Sequence, residues 1–293
     1  MKDEMSKGTR GSSVTHSPSR VRAKKSLGQN FLVDESVIER IVRAVDPRPG
    51  ETIIEIGPGQ GALTSSLVRT MSRIVAIELD RDLAPSLQRK FGALENFVII
   101  EGDALVVDLC AAIAPASSAR LVANLPYNIS TVILQRLLEQ RECLSELVLM
   151  LQREVAARIT AVPSTSERGY LSVLVEAYAE VECLFDVAPT AFRPSPKVWS
   201  TVVRLKPRQR LGILVNDEAL LWRLVSAGFA QRRKTIFNNL RNAQDLIHVR
   251  EINDSDGVRD LLESSGIESR RRAESLSLEE WGRLSLALEA MRS

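Results

Sequence analysis

The chain has 293 residues, of which 44% are hydrophobic and 26% are charged, and its net charge is +2. This apolar content is enough for a sizeable buried core, which excludes fibrous and disordered classes. The length suits one large domain with a small appendage. No run of about 18 apolar residues occurs, so we expect a soluble protein with no membrane-spanning helix and no membrane partner.

Positive charge is concentrated at the start of the chain. The first 25 residues carry seven basic and two acidic residues, a net charge of +5, which leaves −3 for the remainder. The leader has no hydrophobic segment, unlike a secretory signal, and its acidic residues are atypical of a transit peptide. We expect residues 1–23 to form a flexible basic arm, either without function or in weak contact with nucleic acid.

The three cysteines are Cys110, Cys143 and Cys183, which lie far apart and lack C-x-x-C spacing. This pattern indicates neither a disulfide framework nor a metal site. We therefore expect three buried thiols in a reducing, cytoplasmic compartment, and no bound metal.

From Glu51 onward, short apolar runs alternate with longer stretches of helical spacing, which is typical of a parallel sheet covered by helices. The runs barely alternate, as expected for strands buried on both faces. Residues 24–207 are predicted to form a doubly wound, Rossmann-like α/β domain. Strands are predicted over Thr52–Ile56, Arg73–Glu78, Phe97–Ile100, Leu121–Ala123 and Leu147–Leu151, and helices over Ala62–Met71, Asp82–Phe91 and Thr131–Gln140.

After Pro163 the pattern changes. Val181–Val187 and Ser200–Leu205 resemble strands that flank a Pro-rich loop, so we predict an antiparallel hairpin at the end of the sheet. Residues 208–293 are predicted to form a small helical domain. Its helices are expected within Asp217–Asn242, Asp256–Ser265 and Leu278–Met291.

A glycine-rich turn, Gly57-Pro58-Gly59-Gln60-Gly61, follows the first of these buried strands. Glycines permit positive φ and let a ligand approach the backbone. Taken alone, the three glycines could equally form a purely structural turn. The next strand ends in Glu78, 21 residues after Gly57. A carboxylate at this place can accept hydrogen bonds from both hydroxyls of a ribose, so we predict that Gly57 and Glu78 bind a nucleoside cofactor.

The third strand is followed by Asp103, which is expected at the same edge of the sheet. Its carboxylate can accept from an adenine amino group, although Asp103 could instead be a helix N-cap. Dinucleotide enzymes need a free helix N-terminus for the pyrophosphate, whereas S-adenosylmethionine has no phosphate. An anionic surround suits its cationic sulfonium, so S-adenosylmethionine is the predicted cofactor.

The fourth strand runs into Asn124-Leu125-Pro126-Tyr127. An exocyclic amine is a poor nucleophile because its lone pair is delocalised into the ring. The Asn124 side-chain oxygen and the Leu125 carbonyl, directed outward by Pro126, can both accept from the amino protons and localise that lone pair. Tyr127 would stack on the extruded base. The alternative is that these four residues form only a turn.

At this motif the chain resembles the ribosomal RNA small-subunit adenine N6,N6-dimethyltransferase family, over almost everything from Lys24 to Trp281. The resemblance implies a class I methyltransferase that dimethylates two adjacent adenines near the 3′ end of small-subunit rRNA. The partner is then a pre-30S-type ribosomal particle, and we expect the protein to be a monomer. Through the segment Lys25–Leu32 it also implies that Asn30 and Leu32 touch the cofactor, together with Gly57, Glu78, Asp103 and Asn124.

Two further segments match the family. In Ala191–Val198, the resemblance implies that Phe192 faces the base opposite the tyrosine, although a core phenylalanine is the alternative. Trp199, just after it, departs from the small or acidic residue of many relatives. The segment Gln231–Thr235 is similar to the family's QRRKT signature, which implies that Arg232, Arg233 and Lys234 meet RNA phosphates rather than form a solvated basic face.

Three other functions compete with this interpretation. A large-subunit rRNA adenine methyltransferase of the antibiotic-resistance type shares the catalytic motif but differs in the C-terminal region. DNA adenine methyltransferases prefer an acidic residue in place of Asn124. A non-enzymatic nucleic-acid factor on the same fold would not require the full set of cofactor residues.

Overall fold

The computed structural model describes residue 24 and residues 27–127, 129–243 and 255–292. The predicted basic arm, residues 1–23, lies outside the described residues. The strands are β1 (Phe31–Leu32), β2 (Thr52–Ile56), β3 (Arg73–Glu78), β4 (Phe97–Glu101), β5 (Ala119–Asn124), β6 (Leu144–Gln152), β7 (Ala179–Val187), β8 (Phe192–Arg193) and β9 (Ser200–Pro207).

The α-helices cover both faces of the sheet and form the C-terminal region. They are α1 (Glu35–Val45), α2 (Ala62–Leu67), α3 (Ala84–Phe91), α4 (Leu109–Ala112), α5 (Ser130–Glu139), α6 (Arg153–Ile159), α7 (Tyr170–Tyr178), α8 (Glu218–Gly228), α9 (Ile236–Arg241), α10 (Ser255–Ser264) and α11 (Leu278–Arg292).

Strands β4, β3, β2, β5, β6, β9 and β7 form one sheet in that order, and the first five run parallel. The predicted strands are confirmed, since β2 and β3 have the expected bounds and the others are longer by a few residues. The predicted hairpin is also confirmed, because β9 pairs antiparallel with both β6 and β7. The carboxyl ends of β2, β3, β4 and β5 therefore meet at one edge.

Burial explains why these runs became parallel strands. All five residues of β2 are buried, and successive side chains enter opposite layers: Ile53 packs with α1, while Ile54 faces the layer of α5 and α7. A strand with two buried faces must be apolar throughout. The single carboxylate in β2, Glu55, is thus an exception that needs a reason.

The C-terminal helices have their own core, centred on the fully buried Trp281. Helix α7 contributes to both cores: Leu174 packs with the sheet layer, while Val173 packs with α8 and α11. Helices are confirmed within the predicted stretch 217–242, but they are two. A turn separates α8 from α9. Thr235 marks the start of α9, since its side chain caps the helix by accepting from the Asn238 amide.

The expectation about the cysteines was wrong on two counts. Cys110 and Cys143 form a disulfide across 33 residues of sequence, with a Cα–Cα distance of 5.5 Å. The fold brings α4 against the 3₁₀ turn Arg141–Cys143, which sequence spacing does not reveal. Cys183 is a free thiol, but it is exposed rather than buried, because it lies in the edge strand β7.

Candidate functional site

A cavity of about 290 Å³ opens at the carboxyl edge of β2, β3 and β5, in front of the loop after β4. Most of its wall comes from five stretches of chain, namely 27–32, 55–60, 77–79, 102–105 and 124–127, and the rest from Ala62, Leu63, Ile129 and Ile133. Ligands of open α/β sheets bind at this edge. The residues that the sequence singled out on separate strands therefore do meet around one space.

The glycine-rich turn forms the floor of this cavity. Gly57 has φ of +65° and a side chain there would meet no atom within 4 Å, so the backbone presents an open surface to the cavity. Gly59, with φ of +59°, is covered by the Phe31 ring, which a Cβ would approach to 3.0 Å. Only glycine fits this turn without strain, because positive φ and close packing coincide.

Glu78 lines the cavity from the end of β3 and is 5% exposed. One carboxylate oxygen accepts from the Gly59 amide at 3.0 Å and the other from the Asp80 amide at 2.9 Å. Burial raises the pKa of this carboxyl, and these two hydrogen bonds oppose the rise. Each oxygen has a second lone pair, so the carboxylate can still accept from two further donors.

Glu55 is a cavity residue that the sequence analysis missed. It lies in β2, is 2% exposed and accepts from the Thr64 hydroxyl at 2.7 Å. Burial raises its pKa to about 7, against an ordinary value of 4.5. A carboxyl group inside an otherwise apolar strand was the signal, because such a residue is rarely buried unless it has a partner or a function.

Asp103 lines the same cavity from the loop after β4 and accepts from the Leu105 amide at 2.9 Å. It is not a helix N-cap, because α4 begins several residues later and is capped by Asp108, which accepts from the Ala111 amide. The alternative that Asp103 is a helix N-cap is thereby removed.

The segment after β5 brings Asn124, Leu125, Pro126 and Tyr127 to the cavity wall. The Asn124 side-chain nitrogen donates to the Asn30 carbonyl at 3.1 Å. This hydrogen bond fixes the amide plane and leaves the side-chain oxygen as the acceptor for another group.

The ring of Tyr127 is held in place by a hydrogen bond to strand β9. Its hydroxyl shares a hydrogen bond of 2.8 Å with the Ser200 hydroxyl, at the start of β9. Burial raises the pKa of Tyr127, so the phenol stays neutral at physiological pH. The ring is half-buried and presents an aromatic surface to the cavity.

The predicted N-terminal contacts also reach the cavity. Asn30 and Leu32 both line it, and Leu32 is buried. Strand β1 pairs antiparallel with β8, with Leu32 opposite Phe192. Phe192 is itself 2% exposed, packs in the core beside α1 and does not line the cavity. Its ring therefore supports the N-terminal wall rather than facing the space beside Tyr127.

The predicted RNA contacts lie elsewhere. Arg232, Arg233 and Lys234 are exposed in the turn between α8 and α9 and are not part of the cavity wall. One guanidinium nitrogen of Arg232 donates to the Ser166 carbonyl, in the loop before α7. The turn is thereby attached to the α/β domain.

The charge of the cavity wall limits which kinds of ligand fit it. Glu55, Glu78 and Asp103 line it, and the described residues of its wall include no lysine, arginine or histidine. Such a wall disfavours a phosphate and suits a cation. Within the described residues, no cluster of acidic, histidine or cysteine side chains could hold a metal ion. Among the described residues, no helix is long and apolar enough to cross a membrane.

Curated proteins of similar sequence match almost the whole chain. The chain is 43% identical over 263 residues to a ribosomal RNA small subunit methyltransferase A from Hahella chejuensis, which covers 90% of this chain and 92% of that protein. A protein of the same name from Geobacter sulfurreducens is 44% identical over 272 residues, 92% of this chain and 96% of its own.

Solved structures confirm the predicted class I methyltransferase fold. A dimethyladenosine transferase from Plasmodium falciparum superposes with a TM-score of 0.75 at 22% identity, over 89% of this chain and 98% of that one. The 23S rRNA methyltransferase ErmE gives 0.62 at 25% identity, over 89% of this chain and 100% of its own. The family model described as ribosomal RNA adenine dimethylase matches residues 20–281. The chain belongs to the ribosomal RNA adenine dimethylase family.

Proposed function

We propose that this enzyme dimethylates N6 of two adjacent adenines near the 3′ end of small-subunit rRNA, with S-adenosylmethionine as the methyl donor. The observation that carries the proposal is the Asn124 amide, held by the Asn30 carbonyl beside a cavity whose described wall is acidic. When bound, S-adenosylmethionine supplies an electrophilic methyl group on a sulfonium. S-adenosylmethionine suits this acidic wall because it is cationic at the sulfur and carries no phosphate.

Asn124 and Leu125 would hold the amino group of the target adenine. Because its nitrogen donates to the Asn30 carbonyl, the Asn124 side-chain oxygen is available to accept one amino proton. The Leu125 carbonyl would accept the other, since a residue that precedes proline, here Pro126, is restricted to extended backbone. Two acceptors draw the lone pair of the amine out of conjugation with the ring. These contacts strengthen as positive charge develops on the nitrogen, so they lower the barrier rather than merely bind the base.

Tyr127 would stack on the extruded adenine, and its bond to Ser200 keeps the ring from rotating away. The second stacking role, that of Phe192, remains a prediction. Its ring is buried in the core and would have to leave it to reach the base. Gly57, Glu78, Asp103, Asn30 and Leu32 would hold the cofactor. Glu78 suits the ribose hydroxyls, since each of its oxygens keeps a free lone pair.

The RNA would be held by phosphate contacts away from the cavity. Arg232, Arg233 and Lys234 are exposed, and phosphate contacts from such side chains give affinity without sequence preference. We further propose that residues 208–293 act as a helical RNA-binding domain attached to the catalytic domain 24–207. The substrate would be a pre-30S-type particle in the cytoplasm, and the enzyme would act on it as a monomer.

The large-subunit alternative is weaker for a specific reason. ErmE shares the fold at a TM-score of 0.62, but the relatives from Hahella and Geobacter, at 43% and 44% identity, carry the small-subunit name. A non-enzymatic role is disfavoured because the acceptor Asn124 and the acidic cavity are both intact.

The test is transfer of labelled methyl groups from S-adenosylmethionine to two substrates in parallel: small-subunit particles from a strain that lacks this methylation, and protein-free large-subunit rRNA. Mass spectrometry of nuclease fragments should find dimethyladenosine in one 3′-terminal fragment of the small-subunit rRNA. Methylation of large-subunit rRNA alone would overturn the proposal in favour of the resistance-type enzyme.

A further inference from the structure

The buried carboxylate of Asp80 has no part in the site described above. Its side chain is completely buried, although it lies just beyond β3 and only two residues after Glu78. A buried charge needs partners that offset its lost hydration. Two partners of Asp80, Lys24 and Gln29, come from the N-terminal segment, so these contacts join two parts of the chain more than 50 residues apart.

We infer that Asp80 is a positioning residue that latches the N-terminal wall of the cavity, Leu27–Leu32, onto the cofactor-binding strand β3. This inference rests on the proposed cofactor. The Lys24 ammonium contacts one oxygen of Asp80 at 2.5 Å, and the Gln29 side-chain nitrogen donates to the other at 2.8 Å. Each carboxylate oxygen is thereby bound to the N-terminal side.

The latch closes on itself. The Gln29 side-chain oxygen accepts from the Lys24 amide at 2.8 Å, so its nitrogen is the end that faces Asp80. The Asp82 amide donates to Asp80 at 2.9 Å and fixes the carboxylate from its own loop. Burial favours the neutral acid, but the hydrogen bonds from Lys24, Asp82 and Gln29 lower the pKa of Asp80 overall, so the group stays charged.

Both ends of the latch continue into the reaction site. On one side, the Asp80 amide donates to Glu78, the proposed ribose ligand. On the other side, Gln29 directly precedes Asn30, whose carbonyl orients Asn124. The carboxylate of Asp80 therefore holds the N-terminal wall of the cavity in place. The same wall carries Asn30, whose carbonyl orients Asn124, the proposed acceptor for the target amine.

The Phe31 ring joins the same wall to a second part of the cavity. It lies on Gly59 of the glycine-rich turn, where a Cβ would come within 3.0 Å of the ring. The N-terminal wall therefore contacts the floor of the cavity as well as β3. If the latch opens, this cover should loosen, and bound cofactor should escape faster.

The experiment compares Asp80→Asn with the matched control Asp82→Asn. Asp82 also contacts Lys24, at 2.6 Å, but its side chain is 66% exposed. Binding of S-adenosylhomocysteine is measured by calorimetry, and hydrogen exchange is measured on peptides covering Leu27–Leu32. We expect Asp80→Asn to weaken binding by about tenfold or more and to speed exchange in this wall, since a neutral amide cannot replace the buried, charge-assisted hydrogen bonds. Asp82→Asn should stay within about twofold of the parent.

Kinetics separates positioning from simple stability. In Asp80→Asn, kcat should fall and KM for S-adenosylmethionine should rise, whereas a merely structural role would lower the melting temperature without changing either. Lys24→Met provides a second variant if Asp80→Asn does not fold, because Lys24 does not line the cavity and its removal should shift binding in the same direction. A parent that fails to bind S-adenosylhomocysteine would refute the proposed cofactor. Binding and exchange that match between Asp80→Asn and Asp82→Asn would overturn the latch alone.

Discussion

The carboxyl edge of the sheet and the basic turn at residues 231–234 carry side chains of opposite charge and differ in how deeply those side chains are buried. At the edge, Glu55 and Glu78 are buried and each is hydrogen-bonded. In the turn, Arg233 and Lys234 are exposed. Buried groups in a low dielectric have strong, directional effects, whereas exposed charges act through screened fields. We therefore expect substitutions at the edge to change chemistry and pH dependence, and those in the turn to change mainly salt dependence.

Asn124→Ala should have the largest effect. Transfer should fall by at least about a hundredfold, as when one preorganised transition-state hydrogen bond is removed, while RNA affinity persists. Single-turnover rates on small-subunit particles measure the decrease. Asn216→Ala is the control, because Asn216 lies in the helical domain, where its exposed side chain donates to Glu289. A near-parent rate in Asn124→Ala would refute the lone-pair argument.

Glu55 should make stability depend on pH. Its pKa in the folded protein, about 7, lies above the ordinary 4.5, so the folded form binds the proton more tightly. The stabilisation is complete below pH 4.5 and is lost as the pH rises through about 7. The total is on the order of 3 kcal/mol.

Urea unfolding between about pH 4.5 and 8, the window in which this proton is released, tests this expectation. Glu55→Gln, which cannot ionise, should show a smaller decrease in stability across this range than the parent. Glu95→Gln, at an exposed site, should leave the parent's pH dependence unchanged. Identical pH dependence in all three proteins would mean that Glu55 has an ordinary pKa.

Glu78→Ala should weaken binding of S-adenosylhomocysteine by about 1.5 to 3 kcal/mol, roughly 10- to 150-fold, because a charged acceptor for two hydroxyls is removed. Calorimetry measures it. Glu101→Ala is the matched control, since Glu101 lies opposite Glu78 at the end of β4 but its side chain is half exposed. Equal affinities for the parent and Glu78→Ala would remove this residue from the site.

The basic turn should give the smallest effect per residue. Replacing Arg232, Arg233 and Lys234 by Ala should flatten the log-log salt dependence of RNA binding by about 0.7 to 0.9 for each phosphate that is no longer neutralised. Cofactor affinity should not change, because the turn is not part of the cavity wall. Arg89→Ala with Lys90→Ala, exposed on α3, controls for the loss of surface positive charge, although it removes two charges against three. An unaltered slope in the triple variant would mean a solvated face, with RNA held elsewhere.

Local pattern was enough for the elements that are buried on both sides. Thr52–Ile56 and Arg73–Glu78 were predicted to the residue, because a central parallel strand is a nearly continuous apolar run. Gly57, Glu78, Asp103 and Asn124, which were predicted to lie together, do line one cavity for a related reason. Each lies at or just beyond the end of such a strand, and parallel strands bring their carboxyl ends together.

Only the tertiary structure decided the contacts between distant segments. The Asn30–Asn124 hydrogen bond spans 94 residues, the Asp80 contacts span more than 50, and the disulfide spans 33. Phe192 became a core residue because β8 pairs with β1, a partner that no local pattern indicates. The sequence by itself determined which residues end each strand, since periodicity and burial act locally. Their orientation and their partners depend on how the whole chain packs, and that information is spread over all the segments that meet at the cavity.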